Sequence, residues 1–387
     1  MKKPKKVRVG VVGVGGMGQG HANYINSLDE CKLTAVCDID EDTLKMVSEK
    51  HDVPGFKKHT ELLDSGLVDM ILIATPHYYH PPIAIDAFKR GIHVLSEKPI
   101  SVTVKAADQM IRAWKKSGCV FGVMYQMRCE PALKAAKQVV DEGRLGEIYR
   151  TSMIMGWYRS QAYYDSGGWR ATWNGEGGGV LINQAPHYLD IFTWLGGLPK
   201  KITGRVRTRL HDIEVEDEAW AQLEYENGAH GYIYCSTTEA PGTGLIELCG
   251  DRGKLELRGG KLRVWELETP LKEYTVKSQQ MWASPKAKEV EVPLPESETG
   301  HKAITRNVAR AILYGDPLIA PGEEGLNSME LIDGIILSGK RYRTVSVPVD
   351  RKAYESLIKE LKKKSKPKKT LREQRVTDPG QRAGEAA

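Results

Sequence analysis

The chain has 387 residues, of which 41% are apolar and 27% are charged. At about 100 to 200 residues per domain, this length predicts two folded domains and excludes a small disulfide-stapled scaffold. No apolar run is long enough to span a membrane, and the basic residues 1–6 precede no apolar signal region. Six scattered cysteines without a CxxC pair indicate neither disulfides nor zinc. We therefore expect a cytoplasmic protein without a metal site.

Most of the positive charge lies at the two ends of the chain. The formal net charge is +6, but residues 1–8 carry five basic residues, and residues 359–387 carry ten basic and four acidic ones. The remainder has 41 basic and 46 acidic residues, which argues against a nucleic-acid-binding face on the fold. The KKKSKPKK run predicts that residues 351–387 are the end of a helix and a solvated, disordered tail.

The first third of the chain alternates apolar strands with helical patterns. Strand, helix, strand at this spacing predicts βαβ units and a doubly wound parallel sheet of α/β type over residues 1–126. The predicted strands are 7–12, 33–37, 70–74, 94–95 and 120–124, and the predicted helices are 18–28, 41–50, 81–90, 103–116 and 131–142.

The pattern changes after Gly146, where alternating stretches bounded by turn signals predict antiparallel strands. These strands are 148–155, 201–209, 219–225, 231–236, 244–250 and 254–257. Two late helices, 304–314 and 325–338, are predicted either to cover this sheet or to return to the first domain. Residues 127–350 are therefore expected to form an α+β domain.

The segment GVGGMG matches the GxGxxG pattern directly after an apolar strand and at the start of a helix. The first glycine would make the tight turn, the second would let a pyrophosphate approach the backbone, and the third would let helix and strand pack closely. The helix N-terminus then faces the phosphates. The alternative is a purely structural turn. The predicted cofactor contacts are Gly13, Gly15, Gly16, Met17 and Gly18.

An acid stands at the end of the second predicted strand. Asp38 follows Gly18 by 20 residues, where a carboxylate accepts hydrogen bonds from the ribose hydroxyls and repels a 2′-phosphate. The pattern therefore predicts NAD and disfavours NADP. The structural alternative is an N-cap or turn residue before the helix at Glu41, with Asp40 competing for that place.

Two loops that follow predicted strands carry reactive side chains. Ligands of open parallel sheets lie outside the carboxyl ends of the strands, and a lysine there can exchange protons if burial lowers its pKa. Lys98 is the candidate, although Glu97–Lys98 could be an ordinary surface pair. His77 and His80 lack a third ligand, so lining the cofactor or capping a helix is favoured over metal binding. The predicted cofactor contacts are Thr75, Pro76, His80, Glu97 and Lys98.

A third cluster follows three glycines in the second domain. Asn183 and His187 are four residues apart and would share one face of a helix, so an amide and an imidazole could address the same ligand. His187 is a candidate general base, because imidazole titrates near neutral pH. The alternative is a core histidine beside Tyr188 and Phe192.

Six aromatic residues stand between Trp157 and Trp173, interleaved with two arginines. Flat rings and forked donors suit a polyhydroxylated ring that has an apolar face. The alternative is an aromatic cluster in a core or a subunit interface. The candidate substrate contacts here are Tyr158, Arg159 and Trp169.

Six segments in this order resemble the glucose-fructose oxidoreductase, inositol dehydrogenase and MocA (Gfo/Idh/MocA) family, over residues 7–350. They are GVVGVGGMG, ILIATPHYYH, HVLSEKPIS, GRLGEI, GEGGGVLINQAPHYLDIFTWLGG and GEEGLNSMELIDGIILSGK. The resemblance implies a Rossmann domain and a mostly antiparallel open sheet that enclose a sugar or cyclitol over the nicotinamide. It also implies a homodimer or homotetramer.

The resemblance also implies roles for particular residues. Lys98 corresponds to the catalytic lysine of the Glu-Lys-Pro motif and His187 to the catalytic histidine. Tyr125 and Arg128 lie in the segment that often lines the nicotinamide and the substrate. Asn183 departs from the pattern, because many inositol dehydrogenase-like members carry Asp there, and an amide can orient a hydroxyl but cannot take its proton.

We therefore expect an NAD-dependent oxidoreductase that moves a hydride between the nicotinamide and a secondary alcohol of a sugar, glycoside or cyclitol. Lys98 with His187 would accept the hydroxyl proton, while Asn183, Tyr158 and Arg159 orient the ring. One alternative is transient oxidation by tightly held NAD, followed by elimination or hydrolysis. The other is a non-catalytic NAD-binding sensor. Neither a membrane nor a nucleic acid is an expected partner of the fold.

Overall fold

The computed structural model describes residues 6–368 and 371. The first part of the chain alternates strands and helices: β1 Val7–Val12, α1 Gly16–Ile25, β2 Cys31–Cys37, α2 Glu41–His51, β3 Gly55–Phe56, α3 His59–Asp64, β4 Met70–Ile73, α4 His80–Lys89, β5 His93–Ser96, α5 Val104–Lys115, β6 Phe121–Val123 and α6 Pro131–Asp141. The strands form one parallel sheet in the order β3-β2-β1-β4-β5-β6. Its strand order reverses beside β1, which brings the loops after β1, β4 and β5 to one edge.

The second part of the chain builds a larger sheet. Its elements are β7 Ile148–Tyr158, α7 Gln161–Asp165, α8 Pro186–Gly196, β8 Lys201–Arg207, β9 Glu218–Glu224, β10 His230–Ser236, β11 Thr238–Gly250, β12 Gly253–Arg258, β13 Lys261–Leu267, α9 Leu271–Lys277, β14 Ala287–Val290, α10 Gly300–Tyr314, α11 Gly325–Arg341, β15 Val345–Ser346 and α12 Arg351–Lys364. The nine strands run in the order β14-β13-β12-β11-β7-β10-β9-β8-β15. The predicted fold class is thus confirmed.

One strand pair differs from the prediction. β7 and β10 run parallel, with Met153 beside Ile233, whereas the other pairs of this sheet are antiparallel. The prediction of antiparallel strands after Gly146 is therefore wrong for this pair. Apolar and polar residues alternate with a period of two in either pairing, so the sequence pattern does not distinguish them.

The two late helices divide between the domains. α10 packs on the first sheet, where a Cβ at Gly122 would lie 2.7 Å from Cγ2 of Val308, and Val123 N donates to Ala320 O at 3.0 Å. α11 packs on the second sheet, with Ile335 over Gly204 of β8. Each predicted alternative therefore holds for one helix. Within residues 6–368, no helix is long and apolar enough to cross a membrane.

A buried ion pair joins the turn Gln126–Cys129 to α8. Arg128 donates from Nε and Nη2 to the Asp190 carboxylate, at 2.9 and 2.6 Å, and from Nη1 to Glu324. The side chains of Arg128 and Asp190 are each only 1% exposed. A bidentate pair at this depth fixes the start of α6 against the second domain.

We predict that Asp190→Ala lowers the free energy of unfolding by about 3–5 kcal/mol, because it leaves a buried guanidinium without its partner. Urea denaturation measures the change. Glu289→Ala is the matched control, since its pair with Arg263 is half exposed and its loss is expected to cost far less. Equal losses in the two variants would contradict a stabilising role for the buried pair.

Candidate active site

The glycine loop has the geometry that its sequence predicts. Gly13 has φ +87°, and a Cβ there would lie 2.8 Å from the Ala74 carbonyl oxygen. A Cβ at Gly18 would lie 1.8 Å from Gly13 O, so helix and loop are packed backbone to backbone. A Cβ at Gly15 would meet nothing within 4 Å among the described residues. The loop therefore leaves open space at the N-terminus of α1, where phosphate groups bind.

Asp38 closes the other side of this loop. Its Oδ2 accepts a hydrogen bond from Val14 N at 2.8 Å, and its Oδ1 accepts one from Asp40 N at 2.9 Å. The N-cap of α2 is Asp40, which accepts from Thr43 N at 2.9 Å. Asp38 is thus not the cap, and it lies at the end of β2 against the glycine loop, where the ribose contact is predicted.

The loop after β4 contains a threonine whose hydroxyl has no hydrogen-bond partner among the described residues, and a histidine whose ring is held by backbone carbonyls. Thr75 Oγ1 is buried and has no hydrogen-bond partner within residues 6–368, so it is available to a cofactor. His80 is fully buried, with Nδ1 2.8 Å from Pro99 O and Nε2 2.7 Å from Thr75 O. His80 therefore ties the loops after β4 and β5 together, and its contact with the cofactor stays a prediction. Pro76 stands directly before the short 3₁₀ turn His77–Tyr79.

Glu97 takes part in a buried chain of hydrogen bonds. Its Oε1 lies 2.7 Å from His21 Nε2, and His21 Nδ1 lies 2.7 Å from the Tyr24 hydroxyl, which contacts Thr305 at 2.8 Å. Burial alone would raise the pKa of Glu97, but the hydrogen bond from His21 and the neighbouring positive charges lower it to about 2. The Glu97 carboxylate is thus hydrogen-bonded to His21 and to the backbone N–H of Lys98, at 3.2 Å for the latter, and forms no ion pair with the Lys98 amine.

Lys98 crosses from the first domain to the second. Its Nζ donates to Asn183 O at 3.1 Å. Burial lowers the pKa of Lys98, and the charges of Arg170 and Arg159 act in the same direction, although Glu97 and Glu176 oppose them. An amine in this setting can exchange a proton near neutral pH more readily than a surface lysine.

Asn183 stands in a π-helical turn, Val180–Gln184, directly before α8. Its backbone carbonyl holds Lys98, while its side chain donates to Glu176 and accepts from the hydroxyl of Tyr163 at 3.3 Å. The amide is therefore engaged by protein groups. Glu176 is 1% exposed, and burial raises its pKa while Arg170 opposes that effect. A carboxyl group thus lies one hydrogen bond from the Asn183 amide.

His187 begins α8 and faces the same region. Its Nε2 lies 3.2 Å from Gln126 Nε2, and its Nδ1 is buried without a partner in residues 6–368. Burial holds the pKa of His187 well below its usual range, and the charge of Lys98 lowers it further. The imidazole is therefore neutral, and its Nδ1 is free to contact a substrate oxygen.

Two residues predicted to line the nicotinamide and substrate are buried in the core. Tyr125 is fully buried, and its hydroxyl lies 2.6 Å from Ser328 Oγ, although its ring edge packs on His187. Each nitrogen of the Arg128 guanidinium donates to Asp190, Glu324 or the Ile319 carbonyl. Direct substrate contact by Arg128 stays a prediction, and Tyr125 packs against His187.

The aromatic segment forms a wall beside Lys98 and Asn183. Arg159 stacks on Trp157 and Tyr163 at 5.5 Å, and Arg170 stacks on Tyr163 and Trp169 at 4.3 and 4.8 Å. Tyr158 is 52% exposed at the end of β7, whereas Trp173 and Tyr164 are core residues. Trp173 and Tyr164 thus belong to the core, as the alternative prediction of an aromatic core cluster stated. The other residues of the segment lie beside the candidate cleft.

Sequence reasoning missed several groups that surround Lys98: His21, Gln126, Tyr163, Glu176, Gln184 and His301. Glu176 had a usable signal, because it is a lone acid within a run of glycines. The others show no such signal, since their roles depend on partners far along the chain.

The chain after α12 docks onto the aromatic segment. Glu214 accepts hydrogen bonds from Ser365 Oγ, from Lys366 N at 3.2 Å and from Trp173 N at 2.7 Å. Lys368 Nζ donates to the carbonyls of Tyr164 and Gly167, at 3.0 Å for the latter. The prediction of a solvated tail is therefore wrong for residues 365–368. The rest of the predicted tail, apart from residue 371, lies outside the described residues.

A glycine loop with an acid at the end of β2, facing a lysine and a histidine contributed by two domains, defines an oxidoreductase that uses a dinucleotide. Residues 7–125 match the model of the oxidoreductase family with an NAD-binding Rossmann fold, and residues 133–256 match the Gfo/Idh/MocA C-terminal domain. The chain therefore belongs to the Gfo/Idh/MocA family of NAD-binding oxidoreductases. This membership confirms the resemblance and the predicted cofactor.

Three relatives illustrate the match. The chain is 24% identical to the NADP-dependent scyllo-inositol 2-dehydrogenase IolW of Bacillus subtilis, over 89% of this chain and 97% of that protein. It is 30% identical to the 2,7-anhydro-N-acetylneuraminate hydratase of Escherichia coli, over 51% and 52%. The WlbA dehydrogenase of Chromobacterium violaceum, solved with NADH and UDP-GlcNAcA, has 29% identity and a TM-score of 0.78, over 90% and 97%. Membership of an oxidoreductase family, with relatives named as dehydrogenases, confirms the prediction of an enzyme.

We predict that Asp38→Ala raises the KM for NAD roughly tenfold and changes the KM for NADP much less, because a ribose hydroxyl loses its acceptor. Steady-state kinetics with both cofactors measures the ratio. Asp40→Ala is the control, since it removes the α2 cap and is expected to lower stability by about 1 kcal/mol without altering cofactor preference. An unchanged ratio in Asp38→Ala would assign Asp38 to the loop alone.

We also predict that Lys368→Met lowers kcat/KM about fivefold through the KM for the alcohol substrate, because the aromatic wall loses its anchor. The KM for NAD is expected to stay constant. Lys366→Met is the matched control, as its side chain makes no hydrogen bond to a described residue and only its backbone N–H is used. The same loss in both variants would indicate a general effect of tail charge.

Proposed function

We propose that the enzyme transfers a hydride between NAD and a secondary alcohol of a sugar, glycoside or cyclitol. The observation that carries this proposal is the convergence of Lys98 and His187, from different domains, next to the edge of the first sheet that carries the glycine loop. An alcohol that contacts both side chains would lie where proton and hydride transfer can be coupled. The inositol dehydrogenase and the sugar-nucleotide complex among the relatives support this substrate class.

The residues present fit a bound NAD. The open space at Gly15, the N-terminus of α1 and the carboxylate of Asp38 would hold the pyrophosphate and the adenine ribose. When bound, NAD supplies a nicotinamide ring that accepts or returns a hydride. The buried Thr75 hydroxyl is a further contact for it.

Lys98 acts as the general base in the oxidising direction. Because burial lowers its pKa and no carboxylate pairs with it among the described residues, its amine can take the hydroxyl proton. The Asn183 carbonyl accepts one hydrogen bond from the amine, and the rest of the amine's hydrogen-bonding capacity is left for the substrate. In the reducing direction the same ammonium returns the proton.

His187 and the aromatic wall position the ring. His187 Nδ1 offers a second contact to the reacting oxygen, and Gln126 fixes the imidazole through Nε2. Tyr158 is half exposed and offers an apolar ring, Trp169 lies beneath Arg170, and Arg159 contributes forked donors. These side chains orient the alcohol and exclude water from the reacting carbon.

A second candidate uses the same hydride step transiently. The hydratase among the relatives matches at 30% identity, over about half of each chain. In this candidate, tightly held NAD oxidises the ring, a substituent is lost or water is added, and the cofactor is restored. The two functions differ in one quantity, because only the dehydrogenase releases NADH in proportion to product.

The test is to incubate the purified enzyme with NAD, and separately with NADP, against aldoses, inositols and disaccharides. Absorbance of the reduced nicotinamide follows turnover. We expect NADH formation with a restricted set of rings and a slower rate with NADP. Product formation without NADH, together with NAD that copurifies, would replace the dehydrogenase by the transient-redox enzyme.

We predict that Lys98→Ala reduces kcat by roughly 100- to 10,000-fold with nearly unchanged NADH affinity. In the wild type, oxidation requires the neutral amine, so kcat/KM is expected to rise with pH and to level off below the usual pKa range of lysine. This rise of kcat/KM with pH should be absent in Lys98→Ala. Unchanged turnover would exclude Lys98 as the base.

A further inference from the structure

The strongest unassigned feature of the cleft is its charge. We propose that the substrate carries an anionic group, a carboxylate or a phosphate ester, and that the guanidinium of Arg159 binds it. This inference rests on the proposed function and names the substrate class more narrowly. An anionic ring substituent would place its oxygens against the aromatic wall, away from the alcohol that reacts at Lys98.

Arg159 has unused hydrogen-bonding capacity. The only side-chain hydrogen bond of Arg159 within residues 6–368 runs from Nη1 to Tyr158 O at 3.1 Å, and its guanidinium forms no ion pair there. The guanidinium lies over Trp157 and Tyr163, 5.5 Å from both ring centres. A guanidinium held between two rings, with most of its N–H groups unoccupied, is suited to a two-oxygen anion.

Arg159 is connected to the reacting centre by direct contacts. The Tyr163 ring on which it stacks carries a hydroxyl that contacts Asn183 Oδ1 at 3.3 Å, and Asn183 O holds Lys98. The guanidinium is thus linked to the amine through Tyr163 and Asn183.

The cleft has an excess of positive charge. Three cationic side chains, those of Lys98, Arg159 and Arg170, interact there with two carboxylates, those of Glu97 and Glu176. Glu97 is taken by His21, and Glu176 already accepts from Asn183 and Arg170. Arg170 Nε is also buried without a partner in residues 6–368. An anion on the substrate would neutralise this excess, which a neutral polyol would leave in place.

The nearby Lys368 is not part of this anion site. Its ammonium is committed to the carbonyls of Tyr164 and Gly167. It therefore anchors the backbone of the wall. Among the cations of this region, Arg159 is the one whose donors are least occupied.

The experiment compares matched substrates: glucose, glucuronate and glucose 6-phosphate; galactose and galacturonate; N-acetylglucosamine and N-acetylglucosaminuronate; myo-inositol and myo-inositol 1-phosphate. For each, kcat/KM with NAD is measured for the wild type and Arg159→Gln. In at least one set, we expect the acidic member to exceed the neutral one about 10- to 100-fold, as charge-assisted hydrogen bonds allow. The carboxylate and phosphate members distinguish the two anions.

Arg159→Gln is expected to abolish this preference by raising the KM of the acidic substrate far more than that of its neutral counterpart, whereas Arg159→Lys keeps part of the preference. Arg205→Gln is the matched control. Arg205 also stacks on a tyrosine, Tyr342, and donates to a backbone carbonyl, but it lies on β8. Its loss should not alter the preference.

Equal kcat/KM for acidic and neutral members overturns the proposal, and so does an equal loss for both in Arg159→Gln. If no substrate reduces NAD, the proposed dehydrogenase activity is contradicted, but the proposed anion site can still be tested. Binding of the same sets of compounds to the NADH-loaded protein is then measured by calorimetry. Binding of acidic members that disappears in Arg159→Gln supports the site, and absence of binding overturns it.

Discussion

The hydrogen bond between the Lys98 amine and the Asn183 carbonyl joins the two domains at the reacting centre. Lys98 follows β5 of the first sheet, and Asn183 stands in a wide turn held by the second. Gly179 permits that turn, because a Cβ there would lie 1.8 Å from Glu216 O, and the Glu216 carboxylate accepts from Gly179 N at 2.9 Å. Small changes in either domain would therefore be felt at the lysine amine.

The charge balance around that bond decides the chemistry. Burial lowers the pKa of Lys98, and Arg170 and Arg159 act in the same direction, whereas Glu97, which is hydrogen-bonded to His21, and Glu176 oppose them. Glu176 also accepts a hydrogen bond from the amide of Asn183. An amide and a buried acid are thus coupled next to the lysine.

The sequence predicted the first sheet, the glycine loop and the positions of Lys98 and His187, because these features are local in the chain. It did not indicate contacts between residues that are far apart in the chain. Arg128 is paired with residues 62 and 196 positions away, in a buried ion pair that no local pattern predicts. The basic run after α12 gave no sign of docking, since its acceptors are Glu214 and backbone carbonyls of the aromatic segment.

The return of α10 to the first sheet limits how this protein can be divided. β6 is completed by Val308 and the carbonyl of Ala320, and a Cβ at Gly322 would lie 1.9 Å from the Phe121 ring. The nucleotide-binding unit is therefore discontinuous along the chain. A chimera that exchanges the nucleotide-binding unit at a single junction would leave the edge of the first sheet without α10 and the segment that follows it. Domain exchange in this architecture therefore requires two junctions.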